Sequence, residues 1–281
     1  MTKGTVLSDN ITIDDDFDLD KMIDSGQCFR PRRLEEGVYR FFTGEHTVDI
    51  TDETLLKSKT GKKDPDSVTR LSVSCSKEEW DRIWHPYFDL DTNYRKIRNS
   101  ISGDDMYLQD AAKRGAGIRI LRQDRFEMLI SFIISQRKSI PAIRTSVERL
   151  VTLYGRDGFF PRPADMLKAT DEELASCGLG YRVPYIRKAV ERVGHLEVDL
   201  EALDRLPDEE LFTELKSFAG VGDKVANCVA LFAYHRTGRA PVDTWIARVI
   251  NEQYGGVDPF PRYGDVAGIM QQYMFYVASG R

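Results

Sequence analysis

The sequence predicts an α+β protein: a small N-terminal antiparallel β-sheet domain over residues 1–98, followed by an all-helical domain over residues 99–281. Three observations predict it. Before about residue 77, apolar residues fall in short aromatic and β-branched runs; after it they recur at a period near 3.6. A length of 281 with 41% hydrophobic and 30% charged residues suits a chain that buries a real core. Two helical patterns within 208–235 are separated by only Ala219-Gly220-Val221-Gly222, the spacing of a helix-hairpin-helix.

In chain order, residues 28–75 read as β structure, with hairpin turns expected at Glu36-Gly37 and Thr43-Gly44. Residues 57–67, KSKTGKKDPDS, read as an exposed loop, and RLSVSCS at 70–76 alternates as a half-buried strand. Helical patterns then occupy 78–88, 93–101, 125–135, 140–155, 171–177, 183–193, 208–218, 223–235, 244–255 and 266–279. No internal repeat or low-complexity tract interrupts them.

Composition excludes several classes. No run of eighteen apolar residues exists, so no membrane partner is expected. The opening residues have no apolar h-region, so no signal peptide is expected. The four cysteines (Cys28, Cys75, Cys177, Cys228) are far apart and form no C-x-x-C pair, which argues against a zinc ribbon or a disulfide framework. The expected setting is the reduced cell interior: cytoplasmic, or nuclear in a eukaryote. Net charge is −5, and residues 1–20 supply all of it with six Asp against one Lys. For the acidic residues 9–20 the sequence assigns no role, and the default reading is a solvated tail. Residues 111–156 hold ten Lys/Arg against three Asp/Glu, a candidate electrostatic footprint for nucleic acid or else a solvated helix face.

The segment 208–235 carries the most chemistry. Gly220 and Gly222 let the chain turn tightly while Val221 plugs the gap between helices, and Asp223 is expected to cap the second. The N–H groups at that second helix start, through Val225, suit a phosphate oxygen. Lys224 lies in its first turn. Helix starts favour anions, so a lysine here reads either as a phosphate contact or as a nucleophile. Nucleophilic attack needs the neutral amine, and only roughly one free Lys in 2,500 is neutral at pH 7. The positive potential of a helix start and partial desolvation both favour that form. Asp243 precedes the next helix after the breaks at Gly238 and Pro241. A carboxylate there can cap the helix and also stabilise positive charge developing in a cleft facing Lys224.

These segments resemble the helix-hairpin-helix/Gly-Pro…Asp superfamily of DNA glycosylases, with Lys224 and Asp243 at its two catalytic positions. SGQCFR at 25–30, GIRILRQDRFEMLISFIIS at 117–135, GLGYRVPYI at 178–186 and AGIMQQYMFY at 267–276 narrow the resemblance to the 8-oxoguanine branch. It spans about residues 10–280. It implies a damaged base flipped from double-stranded DNA into a pocket of Gly26, Cys228, Gln271 and Phe275. The Gly26 carbonyl would sense the extra N–H at N7 of 8-oxoguanine, where guanine has an acceptor. Phe275 would stack on the base, with Cys228 on its opposite face and Gln271 on its Watson–Crick edge. Gln271 and Phe275, four apart, share one helical face. Arg137, Lys138, Arg182, Gly220, Gly222, Val225 and Trp245 fall at the DNA-binding positions. The implied chemistry is base release and β-elimination through a Lys224 Schiff base, with no metal and no organic cofactor, in a monomer. A monovalent cation on the hairpin carbonyls is a further family feature.

The sequence departs from that branch after SFIIS. Arg137 and Lys138 stand where consecutive Asn residues are common, and Ala142 stands where an Arg often meets the opposite cytosine. Weaker selection of the opposite base is therefore expected. Two alternatives stay open: an alkylpurine (3-methyladenine-type) glycosylase, which typically keeps the Asp but lacks the Lys, and a non-catalytic DNA-binding module.

Overall fold

The computed structural model describes residues 9–58 and 67–280, so most of the loop expected over 57–67 lies outside the described residues. Five strands, β1 (Asp9–Ile13), β2 (Arg32–Glu35), β3 (Val38–Thr43), β4 (His46–Asp52) and β5 (Thr69–Val73), form one antiparallel sheet ordered β1-β5-β4-β3-β2. The two expected hairpin turns are there, with Gly37 at φ 70 and Gly44 at φ 52, a left-handed region that favours glycine. Tyr39, Phe41, Val48 and Ile50 alternate onto one buried face. Trp80, Trp84 and Phe88 cover it from the helical stretch that follows; the Phe41 and Phe88 rings stand 5.1 Å apart, edge to face. That stretch is continuous but widens into a π turn at Trp80–Trp84.

The acidic residues 9–20 are no solvated tail. Residues 9–13 form β1, an edge strand paired with β5. Asp15 accepts the N–H groups of Tyr94 (2.7 Å) and Arg95 (2.9 Å) and pairs with buried Arg119 at 2.8 Å. Asp16, fully buried, pairs with Arg98 at 2.7 Å. Asp18 caps helix α1 (Leu19–Asp24). Composition shows the charge but not its distant partners, which is why the run looks solvated in sequence.

The remaining chain is helical. Its longer helices are α2 (Met106–Arg114), α3 (Arg125–Ser135), α4 (Ile140–Tyr154), α5 (Val183–Gly194), α6 (Asp208–Lys216), α7 (Asp223–Ala233), α8 (Thr244–Tyr254) and α9 (Ala267–Ala278). Sequence patterning misses α1 and α2, both short and rich in polar residues. Helices α3 and α7 are buried along nearly their whole length, as helices apolar on every side must be. They pack together through Phe132 and Phe232, stacked at 5.5 Å. The two cores interlock, because Leu121 completes the core under the sheet while Phe29 belongs to the helical one.

Of the ten cations in 111–156 only Arg119 is buried, and several of the others are tied to protein partners. Arg119 is buried, Arg122 pairs with Asp89 (2.9 Å), and Arg125 pairs with Glu201 and Asp204. Arg144 donates to the Ile23 carbonyl at 2.8 Å. Six of the ten, Lys113, Arg114, Arg122, Arg137, Arg149 and Arg156, are exposed. Among the described residues, no helix is long and apolar enough to cross a membrane.

Candidate active site

Helices α6 and α7 meet at the predicted glycine turn. Val221 is buried and its N–H bonds the Phe218 carbonyl at 3.0 Å. Gly220 sits at φ 78, and a Cβ there would collide with the Tyr185 ring of α5. Gly222 is different: its backbone is extended, and a Cβ there would touch nothing. Gly222 is also the N-cap of α7, and no side chain caps that helix, so its first-turn N–H groups have no helical acceptor. Asp223, expected as the cap, is instead the first helical residue and pairs with Lys216 at 2.5 Å. A cap must precede the helix in extended conformation, and Gly222 holds that place. Val225 turns its side chain into the core, leaving only its backbone for a ligand.

Lys224, one residue on, reaches back toward α3. Its Nζ donates to Ser135 Oγ at 3.4 Å and lies 5.4 Å from the Phe132 ring centroid. Asp243 is the N-cap of α8, its Oδ1 accepting the Ile246 N–H at 2.9 Å. Lys224 and Asp243 line one pocket together with Gly26, Cys228, Gln271 and Phe275. All six residues that sequence assigned to catalysis and base binding therefore meet, from four separate parts of the chain. Burial pushes the Cys228 thiol above its usual value, although the neighbouring Lys224 ammonium works the other way. Gln271 is buried, and its Oε1 has no hydrogen-bond partner among the described residues. An unpaired buried acceptor costs about 1–3 kcal/mol, so it suits a donor brought by a ligand.

Gly26 sits at φ 79 in a loop tied down by residues that sequence patterning misses. Gln272 Nε2 donates to the Ser25 carbonyl at 2.6 Å. Gln27 donates to the Arg119 carbonyl and accepts the Leu121 N–H, while Gln123 Nε2 donates to the Gln27 carbonyl at 2.8 Å. All three glutamines are buried. Each is an unremarkable polar residue in sequence, and only the fold brings the pairs together.

The pocket opens onto a groove of about 810 Å³ that also touches Arg137, Lys138 and Trp245. Arg137 stands exposed at φ 50 on the turn after α3, with no ion-pair or hydrogen-bond partner among the described residues. Lys138 turns inward, donating to Ser146 Oγ (2.5 Å) and the Gly178 carbonyl (2.6 Å). Desolvation, helped by the nearby Arg182 and Arg149 charges, lowers its ammonium below the ordinary lysine value. Arg182 is buried behind the same turn and donates to the Gln136 and Leu179 carbonyls. Lys138 and Arg182 thus brace the turn from within, and Arg137 alone of the three faces outward. Trp245 is 43% exposed at the groove edge beside Val242.

Residues 10–129 match the model of the 8-oxoguanine DNA glycosylase N-terminal domain, and residues 130–272 match that of the HhH-GPD superfamily of base excision DNA repair proteins. The structure of MBOgg1 in complex with a low-affinity DNA ligand is similar over 99% of this chain and 97% of that one, at 33% identity and a TM-score of 0.85. The Clostridium acetobutylicum 8-oxoguanine glycosylase/lyase, solved with double-stranded DNA containing cytosine opposite the lesion, is 32% identical with a TM-score of 0.82, covering 94% of this chain and 92% of that one. An Arabidopsis thaliana relative, N-glycosylase/DNA lyase OGG1, is 27% identical over 89% of this chain and 74% of its own.

Proposed function

The chain belongs to the 8-oxoguanine DNA glycosylases of the HhH-GPD superfamily, and from that premise we propose that it removes 8-oxoguanine from duplex DNA and then nicks the strand as an AP lyase. The observation that carries this reading is the shared pocket of Lys224, Asp243, Gly26, Cys228, Gln271 and Phe275. The uncapped start of α7, with open space at Gly222, grips a phosphate oxygen. Arg137 enters the duplex as the lesion rotates out, while Lys138, Arg182 and Trp245 support that contact. Stacking on Phe275, about 1–3 kcal/mol per base, offsets much of the flipping cost.

The Lys224 amine forms a bond to C1′ as the N-glycosidic bond breaks and its electron pair leaves with the base. Asp243 stabilises the positive charge that builds on the sugar. An amine proton passes to the departed base anion, and opening of the sugar ring, with a solvent proton taken up by O4′, leaves a protonated Schiff base between Lys224 and C1′. That iminium acidifies the C2′ proton; water takes the proton, the C–H electron pair forms the C2′–C3′ double bond, and the 3′ phosphate leaves with the C3′–O electron pair. The Gly26 carbonyl accepts the N7–H that distinguishes the lesion from guanine, and Gln271 reads the base edge.

In this reading residues 1–98 carry the Gly26 loop, and residues 99–281 brace that loop and carry the chemistry. The protein acts as a monomer on DNA in the cytoplasm, or in the nucleus of a eukaryote. Borohydride trapping tests the proposal. A covalent adduct with an 8-oxoguanine duplex that is lost in Lys224→Gln supports it. Base release without an adduct indicates the alkylpurine type, and neither result leaves a DNA-binding module.

A further inference from the structure

We infer that Ser135 is a positioning residue for Lys224, linking the nucleophile to the turn that carries Arg137; this rests on the lyase reading above. Ser135 is the last residue of α3. Its hydroxyl proton is committed to the Phe132 carbonyl at 2.8 Å, so the lone pairs of the oxygen point away from the helix. Lys224 Nζ donates into them at 3.4 Å. The Ser135 carbonyl meanwhile accepts the Lys138 N–H at 3.2 Å, closing the turn on which Arg137 stands at φ 50. One residue therefore holds the amine with its side chain and the outward-facing cation with its main chain.

The frame beneath this link is rigid. Phe132, one turn back from Ser135, stacks on Phe232 of α7, the helix that carries Lys224. The distance between the Ser135 oxygen and the base of the lysine side chain is thereby fixed by packed aromatic rings rather than by a loop. A lysine side chain has large rotamer freedom, and the Phe132 face offers it no directional bond. The Ser135 oxygen supplies that direction at the mouth of the pocket. Load placed on Arg137 by a duplex reaches the amine through a single residue.

The test compares wild type, Ser135→Ala and Ser135→Thr on an 8-oxoguanine duplex. Single-turnover base release and borohydride trapping are measured, with Kd for the same duplex from fluorescence anisotropy. Ser135→Ala is expected to slow both reactions roughly ten- to a hundredfold, the scale of a misplaced reacting group, with Kd changed by less than about twofold. Ser135→Thr, which keeps the oxygen, is expected to recover most of the rate. An alanine variant as fast as wild type overturns the inference. So does a rate loss matched by an equal loss of affinity, or a threonine variant as slow as alanine. A wild-type protein that neither releases base nor traps sinks the lyase reading and this inference with it, whereas active wild type with equally active Ser135→Ala sinks this inference alone.

Discussion

Gln272 Nε2 donates to the main-chain carbonyl of Ser25 at 2.6 Å, joining the last helix to the loop that presents Gly26. Both partners are buried. Gln271, its neighbour on α9, lines the pocket that Gly26 also lines, so one helix sets the distance between the two proposed base-reading groups. Gln272→Leu leaves the Ser25 carbonyl buried and unpaired, at about 1–3 kcal/mol. The expected outcome is a lower melting temperature together with a roughly tenfold smaller binding preference for 8-oxoguanine over guanine duplex. A variant that melts lower yet keeps the full preference would show that the bond serves folding only.

Asp243 is asked to do two things, and they separate by substitution. Its Oδ1 caps α8 through the Ile246 N–H at 2.9 Å, and asparagine retains that acceptor while losing the charge. Asp243→Asn should keep the wild-type melting temperature and lose on the order of a hundredfold in base release. Asp243→Ala should lose as much rate and also about 1 kcal/mol of stability. Full activity in the asparagine variant would remove the carboxylate charge from the mechanism.

Opposite-base selection turns on what faces the duplex. Lys138 and Arg182 are committed to protein carbonyls, and only Arg137 of the braced turn is exposed. A guanidinium offers donors alone, and every base presents some acceptor to them. Excision rates with cytosine, thymine, adenine or guanine opposite the lesion should therefore agree within about tenfold, because no contact worth the ~1–3 kcal/mol of a discriminating bidentate pair is present among the described residues. Arg137→Ala should weaken binding to all four duplexes alike and lower the salt slope by about one. Strict cytosine dependence would sink this expectation.

The site was more legible in sequence than the frame that holds it. Lys224 and Asp243 stand at helix starts, where local spacing carries meaning, whereas Gln271 and Phe275, four apart on one helix, enter the candidate site only through the family resemblance. The hairpin turns at Gly37 and Gly44 were legible for the same local reason. The acidic run at 9–20 was not, because Asp15 and Asp16 find Arg119 and Arg98 some 80 to 100 positions away. Nor were Gln27, Gln123 and Gln272, whose partners are main-chain atoms chosen by the fold. Asp223 misled because a cap is decided by backbone conformation, and Gly222 takes the extended one.

Asp89 and His235 pin the two cores together, and their contact makes stability depend on acid. Asp89 Oδ2 lies 3.1 Å from His235 Nε2, just past the end of α7, while Arg122 and Tyr94 each reach the same carboxylate at 2.9 Å. Burial acts to raise the Asp89 carboxyl, but His235 and Arg122 outweigh it and hold it at about 2 against an ordinary 3.8. A lowered folded value means the stabilisation is present above 3.8 and is lost as pH falls toward about 2. The shift corresponds to about 2 kcal/mol at mildly acid pH, where His235 carries its charge. Asp89 sits at φ 51, which asparagine tolerates, so Asp89→Asn removes the charge without straining the backbone. Urea unfolding should show the variant about 2 kcal/mol less stable at about pH 6, with the gap closing through the window from about 4 to about 2. A gap that stays constant across that window would assign the loss to packing rather than to the ionised carboxylate.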